Sequence, residues 1–275
     1  MTAAAARAAH LLVDEAPFIF ADTLAAALLG GRADELIGYH REHPTHPILS
    51  AARGQVICRS RYAEDRLAAA AAAGIRQYVL LGAGLDTFAY RSPLAGQVSV
   101  FEVDHAATQS WKRAALATAG IEVPSGVAFI AAGLGTGELA DALGDGGFDF
   151  GQPAVISWLG VIMYLDRRAV GQTLSVLAAC APGTELIADY MLPAGLRDVA
   201  GDEYVELVGP VAAQGGEPWQ SFFAPADMTA LLAEFGFEGA SNIGQGDTVP
   251  KRMWQRGDSL RPVELSMIVR ARLGD

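Results

Sequence analysis

Two cysteines, Cys58 and Cys180, are all that the chain contains, far apart and at no metal-binding spacing. That excludes a disulfide framework and a cysteine-built zinc site, and leaves two thiols expected to be buried and inert. Long apolar runs are also missing. None approaches the roughly 20 residues that span a bilayer, and the opening "MTAAAARAAHLLVDEAPF" carries acids where a signal peptide has its apolar centre. A cytoplasmic protein with no membrane partner is expected. Basic residues are outnumbered, 20 Lys and Arg against 31 Asp and Glu, for a net charge of -11. Such a balance disfavours nonspecific attraction to nucleic-acid phosphates or anionic membrane and points to a small-molecule or protein substrate.

What the chain has is apolar content, 51% of 275 residues, enough for one sizeable core. Short apolar or β-branched runs bounded by Gly, Pro and acids read as strands: "QYVLLGAG" (77–84), "VSVFEVD" (98–104), "GVAFIAAG" (126–133), "PAVISWLG" (153–160), "GTELIADYML" (183–192) and a final "VELSMIVRAR" (263–272). Helical patterns lie between them, over 105–120 with Gly120 as its stop, over 166–183 opening at a cap on Asp166, and over 224–237. Strands separated by helices imply a doubly wound, mainly parallel α/β sheet. Its ligands bind beyond the carboxyl ends of the strands, which selects Gly82–Asp86, Glu102–His105, Gly133–Leu134 and Leu159–Tyr164. Ahead of the first strand the chain is alanine-rich and helical by propensity, with a polar break at "YHREHPTHPILSAARG" (39–54) and a helix over "RSRYAEDRLAAAAAAG" (59–74) ending at Gly74. This part reads as a helical cap, residues 1–58, on a domain of residues 59–275.

The turn "GAGLDT" after the first strand narrows the ligand. Gly82 and Gly84 let a nucleotide-type cofactor approach the backbone with no Cβ in the way. A dinucleotide fingerprint starting at Gly82 needs a third glycine where this chain has Thr87, and Asp86 would set negative charge beside a pyrophosphate. A cofactor with a cationic amino group and sulfonium and no phosphate tolerates that acid, which is the charge logic of S-adenosyl-L-methionine. About 20 residues after the first glycine, "FEVD" closes the second strand with an acid suited to two ribose hydroxyls. Asp104 is assigned that role, with Glu102 as its substitute; a turn and helix cap would use the same residues.

"RSRYAEDRL", "QYVLLGAGLDTFAYR", "FEVDHAATQSWKR" and "WLGVIMYL", in this order, resemble the leucine carboxyl methyltransferase family, most closely its bacterial branch with polyketide O-methyltransferases. The resemblance runs over about residues 7 to 272. It implies a class I methyltransferase fold of seven strands, the last antiparallel, with an N-terminal helical extension that helps close the site. It also implies a cofactor-contacting arginine on the helix before the first strand, matched by Arg59 or Arg61, able to grip a carboxylate bidentately. Gly82 matches the family's first glycine and Asp104 its ribose acid. Two departures stand out. Gly133-Leu134 replaces an Asp-Leu pair beside the adenine, leaving Leu134 to pack on the ring, and Leu159 stands where many members carry Glu.

Methyl transfer from a sulfonium is an in-line displacement, so the protein mainly positions the acceptor and excludes water. A carboxylate acceptor, the first expectation, needs no base. A phenol, the second, gains from one, and His105 or one of His40, His43 and His46 is the available type. The spacing of those last three does not make a metal site, because Pro44 and Pro47 break the helix that would align them. Tyr164 matches a family tyrosine near the acceptor and is the second catalytic candidate. Trp111, Trp158, Phe235 and Phe237 read as core, whereas Trp219, Phe222 and Phe223 form a loop cluster that suits either a satellite core or an acceptor wall. The sequence reading is therefore an O-methyltransferase for a small metabolite. A noncatalytic ligand-binding or interaction protein on the same fold is the alternative, on account of Gly133 and Leu159, and an NAD-dependent oxidoreductase ranks third.

Overall fold

The computed structural model describes residues 1–274. Helices α1 (Thr2–Val13), α2 (Ala25–Leu28), α3 (Ala33–Glu42) and α4 (Pro47–Ala72) precede strand β1 (Gln77–Leu81). There follow α5 (Phe88–Arg91), β2 (Ser99–Asp104), α6 (Ala106–Thr118), β3 (Val127–Ala131), α7 (Leu139–Asp145), β4 (Ala154–Trp158), α8 (Arg167–Leu177) and β5 (Glu185–Met191). The chain then forms α9 (Val199–Gln214), α10 (Pro225–Glu234), β6 (Phe237–Gly244) and β7 (Ser266–Leu273).

The strands make one seven-stranded sheet in the order β3-β2-β1-β4-β5-β7-β6. Pairing is parallel from β3 to β5, and β7 runs antiparallel to both β5 and β6. The mainly parallel sheet with an antiparallel last strand is the expected fold. Because consecutive strand residues face opposite ways, Val79 and Leu81 join one core layer with Phe101, Ile156 and Trp158, while Tyr78 and Leu80 join the other with Val100, Val155 and Ile187. Helices cover both faces, which is why these strands read as unbroken apolar runs. Trp158, Phe237 and Phe223 belong to the first layer. The thiols of Cys58 and Cys180 are buried, and burial pushes both up to about 12.

Several helix ends follow from single residues. The Asp166 carboxylate accepts the Ala169 N–H at 2.7 Å and caps α8. Helix α4 departs from expectation, starting at Pro47 rather than Arg59. A proline at the first helical position removes an N–H that has no helical partner anyway, so Pro47 starts the helix instead of breaking it. The polar break thus shrinks to the turn 43–46, and α4 runs unbroken through the expected cap boundary at residue 58. The cap and the sheet are tied by this one helix. At its far end Arg66 meets Glu185, a fully buried acid that also holds Arg270 and Arg272 of β7.

Candidate active site

Strand order reverses between β1 and β4, and the crevice beyond their carboxyl ends is where such sheets hold ligands. Two adjoining cavities lie there, of about 160 Å³ and about 730 Å³, sharing Met1, Ala3, Arg59, Gly82, Gly84 and Gly160 as walls. Helix α1 roofs the smaller one through Ala3, Ala4 and Arg7. Its alanines let the helix lie close, and Arg7 pins it by pairing with Asp22 at 2.7 Å and donating to the Leu85 carbonyl at 2.7 Å. Burial works to raise the Asp22 carboxyl, but Arg7, Thr87 and Arg91 together outweigh it and hold it below its ordinary value.

The glycine turn is built against the second strand. The N–H groups of Gly82 and Ala83 both donate to the Val103 carbonyl at 2.9 Å, and Gly84 N–H donates to Asp104 Oδ2 at 2.6 Å. Gly82 has φ +69°, and a Cβ on it would stand 2.4 Å from Val161 Cγ2. Gly84, at φ +44°, opens onto both cavities. Asp86 Oδ1 accepts the Phe88 N–H at 2.8 Å, starting α5, while its residue also lines the smaller cavity. Asp104 is half-buried on the wall of the larger cavity, its Oδ1 taking the His105 N–H at 2.7 Å. A carboxylate has about four acceptor positions, so two remain beyond those used by the backbone, on a residue that lines the cavity.

Glu102 is corrected as the substitute for Asp104. Two residues back on the same strand, it is 1% exposed and its Oε2 lies 2.7 Å from Lys112 Nζ, away from both cavities. The two arginine candidates also separate. Two positions along a helix turn a side chain about 200°, and the structure divides them accordingly. Arg59 lines both cavities and donates from Nη1 to Asp189 Oδ2 at 2.9 Å, whereas Arg61 pairs with Asp65 at 2.7 Å on the outer surface.

Leu134 lines the larger cavity and Leu159 the smaller; Gly133 sits just behind the rim, where a Cβ would come 2.8 Å from Thr136 Cγ2. Neither Gly133 nor Leu159 brings a charge. Of the histidines, His105 stands exposed on the wall of the larger cavity. His40, His43 and His46 do not reach it: His40 is buried against Arg53, and the other two face solvent on the turn 43–46. Tyr164 lines the larger cavity, and burial foremost raises its hydroxyl above the ordinary range. The aromatic loop cluster splits between its two readings. Trp219 lines the cavity and stacks on Tyr204 at 6.3 Å, while Phe223 is fully buried in the core.

Sequence reasoning missed Asp189 and Tyr204; Gly160 lay within the selected segment Leu159–Tyr164 with no role given to it, and α1 stands where the family resemblance implies a closing helical extension. An acid inside the apolar run "TELIADYML" was the available signal for Asp189, since a buried carboxylate needs partners. The glycine cradle, a ribose-ready carboxylate and an arginine with free donors together fit an adenosine-bearing amino-acid cofactor. Among the described residues no group of three or more His, Cys, Asp or Glu stands ready for a metal, and no helix is long and apolar enough to cross a membrane.

Residues 1–178 match the leucine carboxyl methyltransferase family. A Bacillus subtilis protein is 32% identical over 210 residues, which is 76% of this chain and 69% of its own length. A Mycobacterium avium protein is 32% identical over 188 residues, covering 68% of this chain and 57% of its own. Both carry provisional names as S-adenosyl-L-methionine-dependent methyltransferases, and the chain spans little more than half the length of the mycobacterial relative. Among solved structures, a Thermobifida fusca protein described provisionally as a methyltransferase aligns with TM-score 0.62 at 20% identity, over 94% of this chain and 97% of that one. A Streptomyces avermitilis protein of family DUF574 aligns with TM-score 0.59 at 17% identity, over 98% and 96%. At such identities the likeness shows a shared fold.

Proposed function

We propose that this chain, which belongs to the leucine carboxyl methyltransferase family and is an S-adenosyl-L-methionine-dependent methyltransferase, methylates an oxygen of a small, largely apolar metabolite. The observation that carries the reading is one continuous wall: Arg59, the Gly82–Gly84 turn and Asp104 line cavities whose larger part continues into Met163, Tyr164, Met191, Tyr204 and Trp219. Arg59, the glycine turn and Asp104 suit the amino-acid end, the sulfonium and the ribose of the cofactor in that order, with Leu134 against the adenine. Bound S-adenosyl-L-methionine supplies a methyl group activated by its sulfonium.

The protein's own work is positioning and exclusion of water. Helix α1 closes the smaller cavity and α9 flanks the larger through Tyr204 and Val208. The Tyr164 hydroxyl, raised by burial, keeps its proton and acts as a donor that orients the acceptor oxygen. His105, exposed at the rim, is the group able to accept a proton from a hydroxyl acceptor. A phenolic hydroxyl suits this wall better than the carboxylate expected first. The basic side chains on it are Arg59, which also lines the cofactor cradle, and His105, next to Asp104, while Glu217 adds negative charge to the same cavity. The buried thiols Cys58 and Cys180 suit a reducing compartment, which supports a cytoplasmic site of action.

The test is turnover on a panel of apolar phenols and apolar carboxylic acids with methyl-labelled cofactor, followed by mild alkali. An aryl ether keeps its label and a methyl ester loses it. Alkali-stable label on phenols is the expected result. Alkali-labile label restores the carboxyl reading, and cofactor binding with no turnover on either class favours a noncatalytic protein.

A further inference from the structure

Asp189 sits on β5 in the middle of the sheet, 2% exposed, with Ala188 and Tyr190 fully buried on either side. A carboxylate in that position must be paired or it gives up its charge. Its two oxygens serve two different elements. Oδ2 accepts from Arg59 Nη1 of α4 at 2.9 Å, and Oδ1 accepts the N–H of Gly160 in the turn after β4.

Gly160 completes the arrangement from the other side. Its φ is +71°, and a Cβ there would stand 2.3 Å from Arg59 Nη2 and 2.7 Å from Arg59 Cζ. The guanidinium therefore lies directly against the glycine backbone, held at one nitrogen by Asp189. The bond to Asp189 is its one hydrogen bond to protein among the described residues, with the Arg59 side chain 12% exposed. A guanidinium has five N–H donors, so most remain for whatever occupies the two cavities that Arg59 lines.

An arginine side chain carries large rotamer entropy, and a ligand that has to order it loses affinity. Fixing the guanidinium beforehand removes the cost. Resting on the methyltransferase reading above, we propose that Asp189 is a positioning residue. With Gly160 as the backing surface, it holds Arg59 with its free donors toward the cavity, to receive the carboxylate of the cofactor's amino-acid end. A zwitterionic ligand end suits this pair, because its ammonium offsets the negative charge that Asp189 and Asp86 bring to the same region.

A merely structural tie between α4 and the sheet would also use this ion pair, so the test separates the two roles by ligand. S-adenosylhomocysteine carries the amino-acid end and 5′-methylthioadenosine lacks it. Both are titrated calorimetrically into the wild type, Asp189→Asn, Arg59→Ala and the double variant. Asparagine keeps the shape of Asp189 but turns an NH2 donor toward Arg59 or Gly160 N–H, which releases the guanidinium. The expected result is S-adenosylhomocysteine affinity down by about ten-fold or more in Asp189→Asn, with methylthioadenosine affinity unchanged. The double variant binds S-adenosylhomocysteine no worse than Arg59→Ala alone. Gly160→Ala, which crowds the guanidinium while leaving the Asp189 side chain itself unaltered, shows the same selective loss and stands in if Asp189→Asn does not fold. Equal loss of both ligands, no loss of either, or tighter S-adenosylhomocysteine binding overturns the assignment. A wild type that binds neither nucleoside overturns the methyltransferase reading itself, and the assignment with it.

Discussion

Asp104→Ala is the substitution with the most sharply divided consequences. In the wild type the two carboxylate oxygens accept from Gly84 N–H at 2.6 Å and from His105 N–H at 2.7 Å. Both N–H groups sit beside the larger cavity, so water replaces the lost partners and folding stability falls by only about 1 kcal/mol. For a chain of this size that lowers the melting temperature by about 2–4 °C. The cofactor has no such replacement. Hydrogen bonds from ribose hydroxyls to a charged acceptor are worth about 1.5–3 kcal/mol, so S-adenosylhomocysteine affinity falls by about 10- to 150-fold. Glu102→Gln is the control, because it reverses the pattern. It leaves Lys112 buried without its counter-charge, at a cost of about 3–5 kcal/mol in stability, and leaves cofactor affinity in the folded protein as it was. Calorimetry beside a thermal melt reads both quantities. An Asp104→Ala protein that binds as well as the wild type refutes the ribose assignment and the argument from its open acceptor positions.

Other substitutions bear on the same geometry. Gly160→Ala forces a left-handed backbone onto a residue with a Cβ, and chemical denaturation should show a loss of about 1–2 kcal/mol; unchanged stability would mean that the turn relaxes easily. Arg61→Ala removes an exposed pair worth at most about 1 kcal/mol, and calorimetry should find cofactor affinity unaltered. His40 gives a pH dependence. Burial first and then Arg53 push its pKa down to about 4, against a weaker pull from Asp14. Between that value and the ordinary one near 6.5 the unfolded chain binds a proton that the folded chain refuses, so stability is lost as pH falls through this window. The shift sets an upper bound of about 3 kcal/mol, and solvent screening makes the loss smaller. Urea unfolding at pH 7 and pH 4.5 should show a smaller drop in His40→Asn than in the wild type, and an equal drop would refute the assignment.

The central strands were legible because a parallel sheet covered on both faces needs unbroken apolar runs, and "QYVLL" and "AVISW" are such runs. Strand β6 was not. "FEGASNIG" is a half-exposed edge strand, with Gly239 at φ +61° and a register shift between Glu238 and Ser241, and it pairs only with β7. The glycine turn and Asp104 were legible from spacing along the chain, since both belong to consecutive strands. Choosing Arg59 over Arg61 needed the helix phase, and reading Pro47 as a helix breaker puts the start of α4 at Arg59 instead of at Pro47. Asp189 was out of reach for a different reason. Its partners come from α4 and from the turn after β4, and only the strand order brings them beside β5.

The central claim is that the cavities beyond β1, β2 and β4 take S-adenosyl-L-methionine. Calorimetric titration of the purified protein with S-adenosyl-L-methionine and with S-adenosylhomocysteine, NAD serving as control, tests it most directly. Saturable binding of both nucleosides and none of NAD is the predicted result. Absence of binding by either nucleoside, or binding of NAD instead, would contradict it.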